Sequence, residues 1–255
     1  MNLVALDCTW LMHRAFYVNP NHCVSMVIGW VCRYSQELNS THILACVDTG
    51  KSFRKDLDPL YKANRSGKSV VHEAVDDLMR RLPKIGIAVH ASDGNETDDV
   101  LATVGYKSKR SILVTSDKDN LQCVSDRCSI YIPSVGGRPE KHINLSNFLE
   151  FSNGLSPSQF LDWQTLTGDK IDNIPKLLQP AVSRKLILKH KSLRKYLETK
   201  EGAAWAKKNE IRLRLNRKLV KLKTDCFELD LKRYRRPLVN TGYEPSNNWY
   251  KTLVG

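Results

Sequence analysis

The sequence predicts an α/β protein in which a mostly parallel central sheet is flanked by helices. Short apolar runs alternate with helical segments, and each run is continuously apolar, as is typical of strands buried on both faces of a sheet. The predicted strands cover residues 3–6, 43–47, 87–89 and 112–114. Helical spacing of apolar residues falls between them, over residues 24–38, 71–82 and 98–109. This order is the β-α-β rhythm of an open wound sheet.

The second half of the chain changes character. A hairpin or short strand pair is expected near residues 128–143, and two short helices at 144–151 and 157–167 begin with N-cap or N1-proline signals. Further helices are predicted at 181–190 and 203–222, the latter with Lys and Arg on its outer face. We therefore expect two parts that pack together: an α/β body over residues 1–150 and a basic helical region over residues 151–255.

Basic residues are concentrated towards the C-terminal end of the chain. Residues 1–175 hold 19 bases and 20 acids, a net charge of −1, whereas residues 176–255 hold 21 bases and 7 acids, a net charge of +14. A segment this basic favours a polyanion partner, most often nucleic acid. A solvated lysine-rich face is the alternative, and an anionic lipid surface is less favoured.

The apolar runs and the cysteines indicate the cellular compartment of the protein. No apolar run approaches about 18 residues, so no membrane helix and no membrane partner are expected. The N-terminal stretch lacks the pattern of a signal peptide. The seven cysteines form no CxxC pair, which indicates free thiols in a reducing cytoplasm and argues against a zinc site.

Acidic residues follow every predicted strand. Asp7 and Asp48 end the first two strands, GNETDD follows the third and SDKD follows the fourth, while a fifth acidic group lies in the loop TGDKIDNIP. One terminal Asp usually caps a helix or closes a turn, and the acids of GNETDDV also suit a helix N-terminus, with Thr97 as its cap. Four repeats favour a ligand site instead, because the C-terminal ends of parallel strands meet at one sheet edge. The candidate metal ligands are Asp7, Asp48, Glu96, Asp98, Asp99, Asp117, Asp119, Asp169 and Asp172.

This many carboxylates at one edge require cations. Hard oxygen ligands without a Cys or His pattern indicate Mg²⁺, with Mn²⁺ as a substitute, and several clusters indicate two ions. Two such ions are a common apparatus for hydrolysing phosphodiesters. The stretch KSFRKDLDPLYKANR adds cations for a phosphate and an aromatic face for a base, although an ordinary charged loop is the alternative. These candidate residues are Lys51, Arg54, Tyr61, Lys62 and Arg65.

Taken together, these motifs resemble the 5′ nuclease family, which includes the 5′–3′ exonuclease domain of bacterial DNA polymerase I and free-standing phage flap endonucleases. The matching stretches, in chain order, are LVALD, RAF at Arg14, ILACVD, KSFRKDLDPLYKANR, GNETDD, VTSDKD, GDKIDNIP and LNRKLVKLKTDCFELDL. The match spans roughly residues 2–231. Each stretch alone is weakly diagnostic, but the ordered set is specific.

The resemblance implies a PIN-like 5′ nuclease fold with a helix-three-turn-helix-like DNA-binding region and a short helical arch at about residues 66–90. By similarity, Asp7, Asp48, Glu96 and Asp98 would surround one ion, and Asp98 or Asp99 with Asp117, Asp119, Asp169 and Asp172 would serve the second. Arg14, Arg54, Lys62 and Arg65 would contact phosphate and act in catalysis. Tyr61 would stack near the substrate end.

One part of the family pattern is missing. A glycine-rich hairpin usually follows DNIP, where it binds a monovalent cation and grips duplex DNA, but here the sequence is KLLQPAVSRK. Without glycine the backbone cannot readily approach a phosphate as closely, which puts the K⁺ site in doubt. Lys176, Arg184 and Lys185 are candidates to contact DNA by direct charge instead.

The expected function is therefore metal-dependent 5′–3′ exonuclease and 5′-flap endonuclease activity on DNA, in replication or DNA degradation. The expected partner is flapped, nicked or 5′-ended duplex DNA, or an RNA/DNA hybrid at a primer; replication proteins are further candidate partners of a monomeric protein. Two alternatives stay open at this point. One is a branched-DNA-binding module that does not cut, and the other is an RNA-directed nuclease on a related acidic sheet.

Overall fold

Six strands form one sheet in the computed structural model, which describes residues 2–50, 52–64 and 71–236. The strands are β1 (Leu3–Asp7), β2 (His42–Asp48), β3 (Ala88–Ser92), β4 (Ser111–Val114), β5 (Cys128–Ile132) and β6 (Lys141–Ile143). Their order across the sheet is β3-β2-β1-β4-β5-β6, and every neighbouring pair is parallel except the antiparallel pair β5–β6. The predicted fold class and the predicted strand pair near residues 128–143 are confirmed.

The order of the strands creates a switch point beside β1. From β1 the chain builds outward to β2 and β3, and then returns to place β4 on the other side of β1. In open parallel sheets, ligands bind outside the carboxyl ends of the strands where the order reverses. Asp7, the last residue of β1, lies at this crevice.

Three helices cover one face of the sheet. They are α1 (Cys8–Val18), α2 (Cys23–Glu37) and α4 (Val71–Arg81), while the short α3 (Arg54–Leu57) follows β2. The apolar stripe of α4, which includes Val75 and Leu78, is buried in the same core as α1 and α2. The arch predicted over residues 66–90 stays a prediction: α4 packs on the α/β body, and residues 66–70 lie outside the described part of the chain.

The other face of the sheet carries α5 (Thr97–Lys107) and the C-terminal helices. These are α6 (Phe148–Phe151), α7 (Pro157–Thr167), α8 (Pro180–His190), α9 (Leu193–Leu197) and α10 (Lys200–Val220). A single apolar cluster joins Leu3 and Leu113 of the sheet to Phe160 of α7 and Leu213 of α10. The body and the helical region therefore share a core; the domain boundary near residue 150 stays a prediction.

The residues after α10 return along the body. In this C-terminal segment (residues 221–236), the Cys226 amide donates to Thr103 Oγ1, and the Tyr234 carbonyl accepts from the Ile43 amide at 2.7 Å. The segment thereby fastens α10 to the start of β2. Within the described ranges, no helix is both long and apolar enough to cross a bilayer.

Candidate active site

The acids at the strand ends come together at the switch point. Asp7 caps α1 through a 2.9 Å bond from the Trp10 amide to Oδ1, while Oδ2 accepts a 3.2 Å bond from the Thr115 hydroxyl beyond β4. Burial raises the pKa of Asp7, and the charges of Asp117 and Asp48 raise it further, which places these carboxylates near one another. The ends of β1, β2 and β4 thus contribute carboxylates to one electrostatic cluster, as the strand pattern predicts.

Burial and mutual repulsion make these carboxylates hard to ionise. Burial, reinforced by the charges of Asp117 and Asp48, raises the pKa of Asp7 to about 7. Burial and the Asp117 charge raise the pKa of Asp119 to about 8. The pKa of Asp98 is raised well above its usual value by burial and by the charges of Asp117, Asp7 and Asp119. Carboxylates that burial and mutual repulsion keep from ionising favour bound cations, because a cation would stabilise their charged forms.

Lys62 places one positive charge inside the cluster. Its Nζ lies 2.9 Å from Glu96 Oε2 and 3.7 Å from Asp172 Oδ2, and its side chain is only 16% exposed. Burial alone would raise the pKa of Glu96, but the charges of Lys62 and Arg54 outweigh it and lower that pKa. Lys62 itself is held at a left-handed φ of 54°, an uncommon backbone conformation for a residue other than glycine.

The loop after α7 brings the last two acids to the edge. Asp169 Oδ1 accepts from the Ile171 amide at 2.7 Å, and its Oδ2 lies 2.7 Å from Lys118 Nζ. The hydrogen bond and charge of Lys118 overcome burial and lower the pKa of Asp169. The loop turns at Gly168, where an added Cβ would lie 2.4 Å from the carbonyl oxygen of Ile174, so no larger residue fits.

Asp99 is turned away from this cluster, contrary to the prediction that it is a metal ligand. It is fully buried and forms bidentate hydrogen bonds of 2.6 and 2.8 Å with Arg54. Its oxygens also accept from the amides of Glu96 at 3.1 Å and Lys223 at 2.8 Å. With both oxygens occupied, Asp99 closes a capping box whose N-cap is Glu96, so the helix begins at Thr97 and Thr97 is not the cap.

Arg54 and Tyr61 also differ from their predicted roles. Arg54 is 1% exposed, and besides binding Asp99 it donates from Nε to the Leu219 carbonyl at 2.7 Å. Tyr61 is 2% exposed, and its hydroxyl lies 3.0 Å from Glu96 Oε2 and 3.1 Å from an oxygen of Asp172. Arg54 therefore has no surface for a phosphate, and Tyr61 has no free ring face for a base.

The other predicted basic residues lie on α1, on or just before α8, or outside the described residues. Arg14 is partly buried between two indole rings, 4.7 Å from the Trp30 centroid and 5.9 Å from that of Trp10. Arg184 and the exposed Lys185 lie on α8, and Lys176 just before it bonds to Gln179. The two remaining candidates, Lys51 and Arg65, lie outside the described residues.

Sequence reasoning missed the neutral groups that fix the acids. The Asn120 amide donates to Asp98 Oδ1, and the Gln164 amide donates to Asp119 Oδ1, both at 2.5 Å. Asn120 directly follows the SDKD acids, so its position next to them was a usable signal. Gln164 gave none, because its place on α7 acquires meaning only once α7 packs beside the residues after β4.

The donor set suits a hard divalent cation. Across residues 2–50, 52–64 and 71–236, no three acid, thiol or imidazole groups form a ready-made ligand set for one ion. The carboxylates instead offer oxygens distributed around one edge. That arrangement fits an ion such as Mg²⁺, which keeps several of its waters and takes only one or two carboxylates directly.

A mostly parallel sheet with acids gathered at its switch point places the chain among the open α/β proteins, whose ligand sites lie beyond the carboxyl ends of the strands. Within that class the chain belongs to the 5′–3′ exonuclease family. The family model for the 5′-3′ exonuclease, N-terminal resolvase-like domain, matches residues 2–150. The resemblance stated from the motifs is confirmed.

Curated relatives carry the same family names. The chain is 32% identical over 204 residues to DNA polymerase I of Mycobacterium leprae, covering 73% of this chain and 22% of that protein. It is 30% identical over 198 residues to the 5′-3′ exonuclease of Bacillus subtilis, covering 73% of this chain and 67% of that protein. The chain thus spans about a fifth of the polymerase relatives and about two thirds of the exonuclease.

Solved structures share the fold. The T5 D15 protein co-crystallised with metal ions matches with a TM-score of 0.73 and 21% identity, covering 89% of this chain and 91% of that one. The catalytic core of Rad2 in complex with DNA substrate matches with a TM-score of 0.58 and 12% identity, over 88% and 80% of the two chains. At these identities the likeness shows the fold alone.

Proposed function

We propose that this protein is a divalent-metal-dependent nuclease that acts as a 5′–3′ exonuclease and a 5′-flap endonuclease on DNA. One observation carries the proposal: buried carboxylates from separate strands converge at the switch point around Lys62. Structural capping alone does not account for acids whose pKa values are raised by burial and by one another's charges, because a stabilising cap lowers the pKa of a carboxyl. Membership in the 5′–3′ exonuclease family supports the same activity.

Eight of the nine predicted acids would hold two Mg²⁺ ions, with Mn²⁺ as a substitute. We assign Asp7, Asp48, Glu96 and Asp98 to one ion, and Asp117, Asp119, Asp169 and Asp172 to the other, with some of them acting through water. When bound, such ions lower the pKa of a coordinated water and stabilise charge on the reacting phosphate. Asp99 is left out because Arg54 occupies both of its oxygens.

Amide side chains orient the carboxylates of the acidic edge, and a lysine supplies positive charge there. Asn120 and Gln164 orient Asp98 and Asp119 by donating to one oxygen of each, which leaves the second oxygen for a cation. Lys62 lies against Glu96 and would neutralise charge that develops on the phosphate during in-line attack. The product of that attack carries a 5′ phosphate.

Duplex DNA is the proposed partner of the basic helical region. The 21 bases and 7 acids of residues 176–255 favour sequence-independent binding to phosphates, which weakens steeply with salt. Lys176 lies just before α8 and Arg184 and Lys185 lie in its middle, where they would offer charge without a glycine-rich hairpin. Flapped, nicked or 5′-ended duplexes and RNA/DNA hybrids are the substrates we assign to a monomeric cytoplasmic enzyme that works with replication proteins.

Cleavage of a labelled 5′-flap duplex tests the proposal. We expect metal-dependent products with Mg²⁺ and none with EDTA. Asp117→Asn should abolish cleavage while DNA binding persists, because the change removes charge from the acidic edge without altering its shape. Asp126→Asn is the matched control, since the Asp126 side chain is 79% exposed and pairs only loosely with Arg127; it should cleave like the wild type.

Two outcomes would replace the proposal. DNA binding without metal-dependent products from the wild type would favour a branched-DNA-binding module. Efficient cleavage of an RNA flap but not of the matched DNA flap would favour an RNA-directed nuclease. Product lengths resolved on a gel separate exonuclease from endonuclease cleavage in the same experiment.

A further inference from the structure

Two large apolar side chains are exposed at the rim of the acidic edge. Leu60 is 60% exposed and Ile171 is 69% exposed, although both lie within two residues of charged groups in the site. Single exposed apolar residues are common on protein surfaces. These two are unusual because they belong to neighbouring loops that the site itself holds together.

The two loops form one unit. The Asn173 side chain donates to the Leu60 carbonyl at 2.7 Å, and the Lys62 amide donates to the Asp172 carbonyl at 2.9 Å. Between them, the buried Tyr61 hydroxyl lies within hydrogen-bonding distance of Asp172. Because Tyr61 points into the protein and is fixed there, the adjoining Leu60 is held at the surface.

The two joined loops also carry Lys62 and Asp172, charged residues of the acidic edge where a phosphate would bind. Ile171 directly precedes Asp172, and its amide is fixed by Asp169 Oδ1 at 2.7 Å. Leu60 is two residues from Lys62. Both apolar residues therefore lie on the hydrogen-bonded loops that carry Lys62 and Asp172, beside the acidic edge where a phosphate would bind.

We propose that Leu60 and Ile171 form an apolar shelf that packs against the base of a nucleotide flanking the scissile phosphate. This inference rests on the proposed function and adds a contact that selects for the presence of a base at that position. Every base offers an apolar face, so the shelf does not discriminate sequence. The pair is too small for a protein interface, which buries roughly 800 Å² on each partner.

The test compares the double variant Leu60→Ser/Ile171→Ser with the wild type on two flap duplexes. The first duplex is intact. The second is prepared in two forms, each with a single abasic site on one side of the scissile phosphate. On intact DNA we expect the variant to lose on the order of fivefold in kcat/KM, mainly through KM, which is the lower end of base-stacking effects. On the abasic duplex that lacks the contacted base, variant and wild type should be equal.

Controls separate the shelf from general damage. Leu149→Ser alters a side chain that is 56% exposed on α6, outside the proposed DNA-binding region, and it should behave like the wild type on both substrates. Leu60→Met/Ile171→Val keeps the apolar surface and should retain wild-type kcat/KM. An equal loss on intact and abasic DNA, or no loss on intact DNA, would overturn the shelf.

A binding measurement distinguishes failure of the shelf from failure of the nuclease. Fluorescence anisotropy in Ca²⁺ should show the same base-dependent loss of affinity in the double variant, independent of turnover. If the wild type does not cut DNA yet the base-dependent difference in affinity persists, the shelf stands and the proposed catalysis fails. If the variant and the wild type have the same affinity and the same rate on both substrates, the shelf is refuted.

Discussion

Replacing Arg54 with methionine tests whether this residue is structural or catalytic. Methionine approximates the length and volume of the side chain but removes the guanidinium, so the fully buried Asp99 loses its cation. The change also removes the donor to the Leu219 carbonyl. The family resemblance places Arg54 on the substrate, whereas the contacts place it within the core.

The geometry sets the size of the effect. Breaking one half of a buried ion pair costs about 3–5 kcal/mol, because an uncompensated charge stays behind. Asp99 keeps its hydrogen bonds from the Glu96 and Lys223 amides, which favours the lower end of that range. A loss of about 3 kcal/mol lowers the Tm of a chain of this size by roughly 6–12 °C.

Thermal unfolding in EDTA, followed by circular dichroism, measures this loss without contributions from metal. Arg194→Met provides the control, because Arg194 pairs with Glu198 at 3.1 Å on the surface and its side chain is 89% exposed. Such a surface pair contributes about 0.3–0.5 kcal/mol, so the control should shift little. An Arg54→Met protein that melts within about 1 °C of the wild type and yet fails to cleave DNA would refute the structural role.

Three further predictions follow from the site and the basic region. Tyr61→Phe should lower the free energy of unfolding by about 1 kcal/mol and leave DNA affinity unchanged, since only the buried hydroxyl is lost; weaker DNA binding with unchanged urea unfolding would show instead that the hydroxyl contributes to DNA binding. The pKa of Asp7 rises from 3.8 to about 7 and that of Asp119 to about 8 on folding, so metal-free stability should be fully present below about pH 4 and decline towards pH 8; urea midpoints in EDTA that rise over this range would contradict the sign. Arg184→Ala/Lys185→Ala should reduce the slope of log Kd against log salt by about 2, measured by fluorescence anisotropy, and an unchanged slope would remove both residues from the DNA contact.

The strands of the sheet were predictable because the burial of each strand shows in the residue types of that strand alone. β1 and β4 are buried at every position, and such strands are apolar throughout, so a short run is enough to find them. The gathering of acids followed from one geometric rule, that parallel strands end at the same edge. The position of Asp7 at this edge followed from the strand that it ends, without knowledge of any distant residue.

The distinction between Asp98 and Asp99 was not predictable in the same way. The two residues are adjacent and chemically identical, but successive positions on a helix point about 100° apart. Only the packing of Arg54 against the end of α10 determines which of them faces the core. Tyr61 and Gln164 acquired their roles similarly, from contacts with elements far away in sequence.

The same long-range contacts have a consequence for the order in which the protein folds. Arg54 and Leu219 are 165 residues apart, and Asp99 and Lys223 are 124 apart, so the helix start that presents Glu96 and Asp98 is secured by the last third of the chain. Non-local pairings of this kind form late, because their loop-closure entropy is lost before the contact forms. During synthesis the acidic edge therefore stays incompletely organised until α10 and the C-terminal segment emerge. An unfinished chain therefore lacks the organised edge that the proposed cleavage of DNA requires.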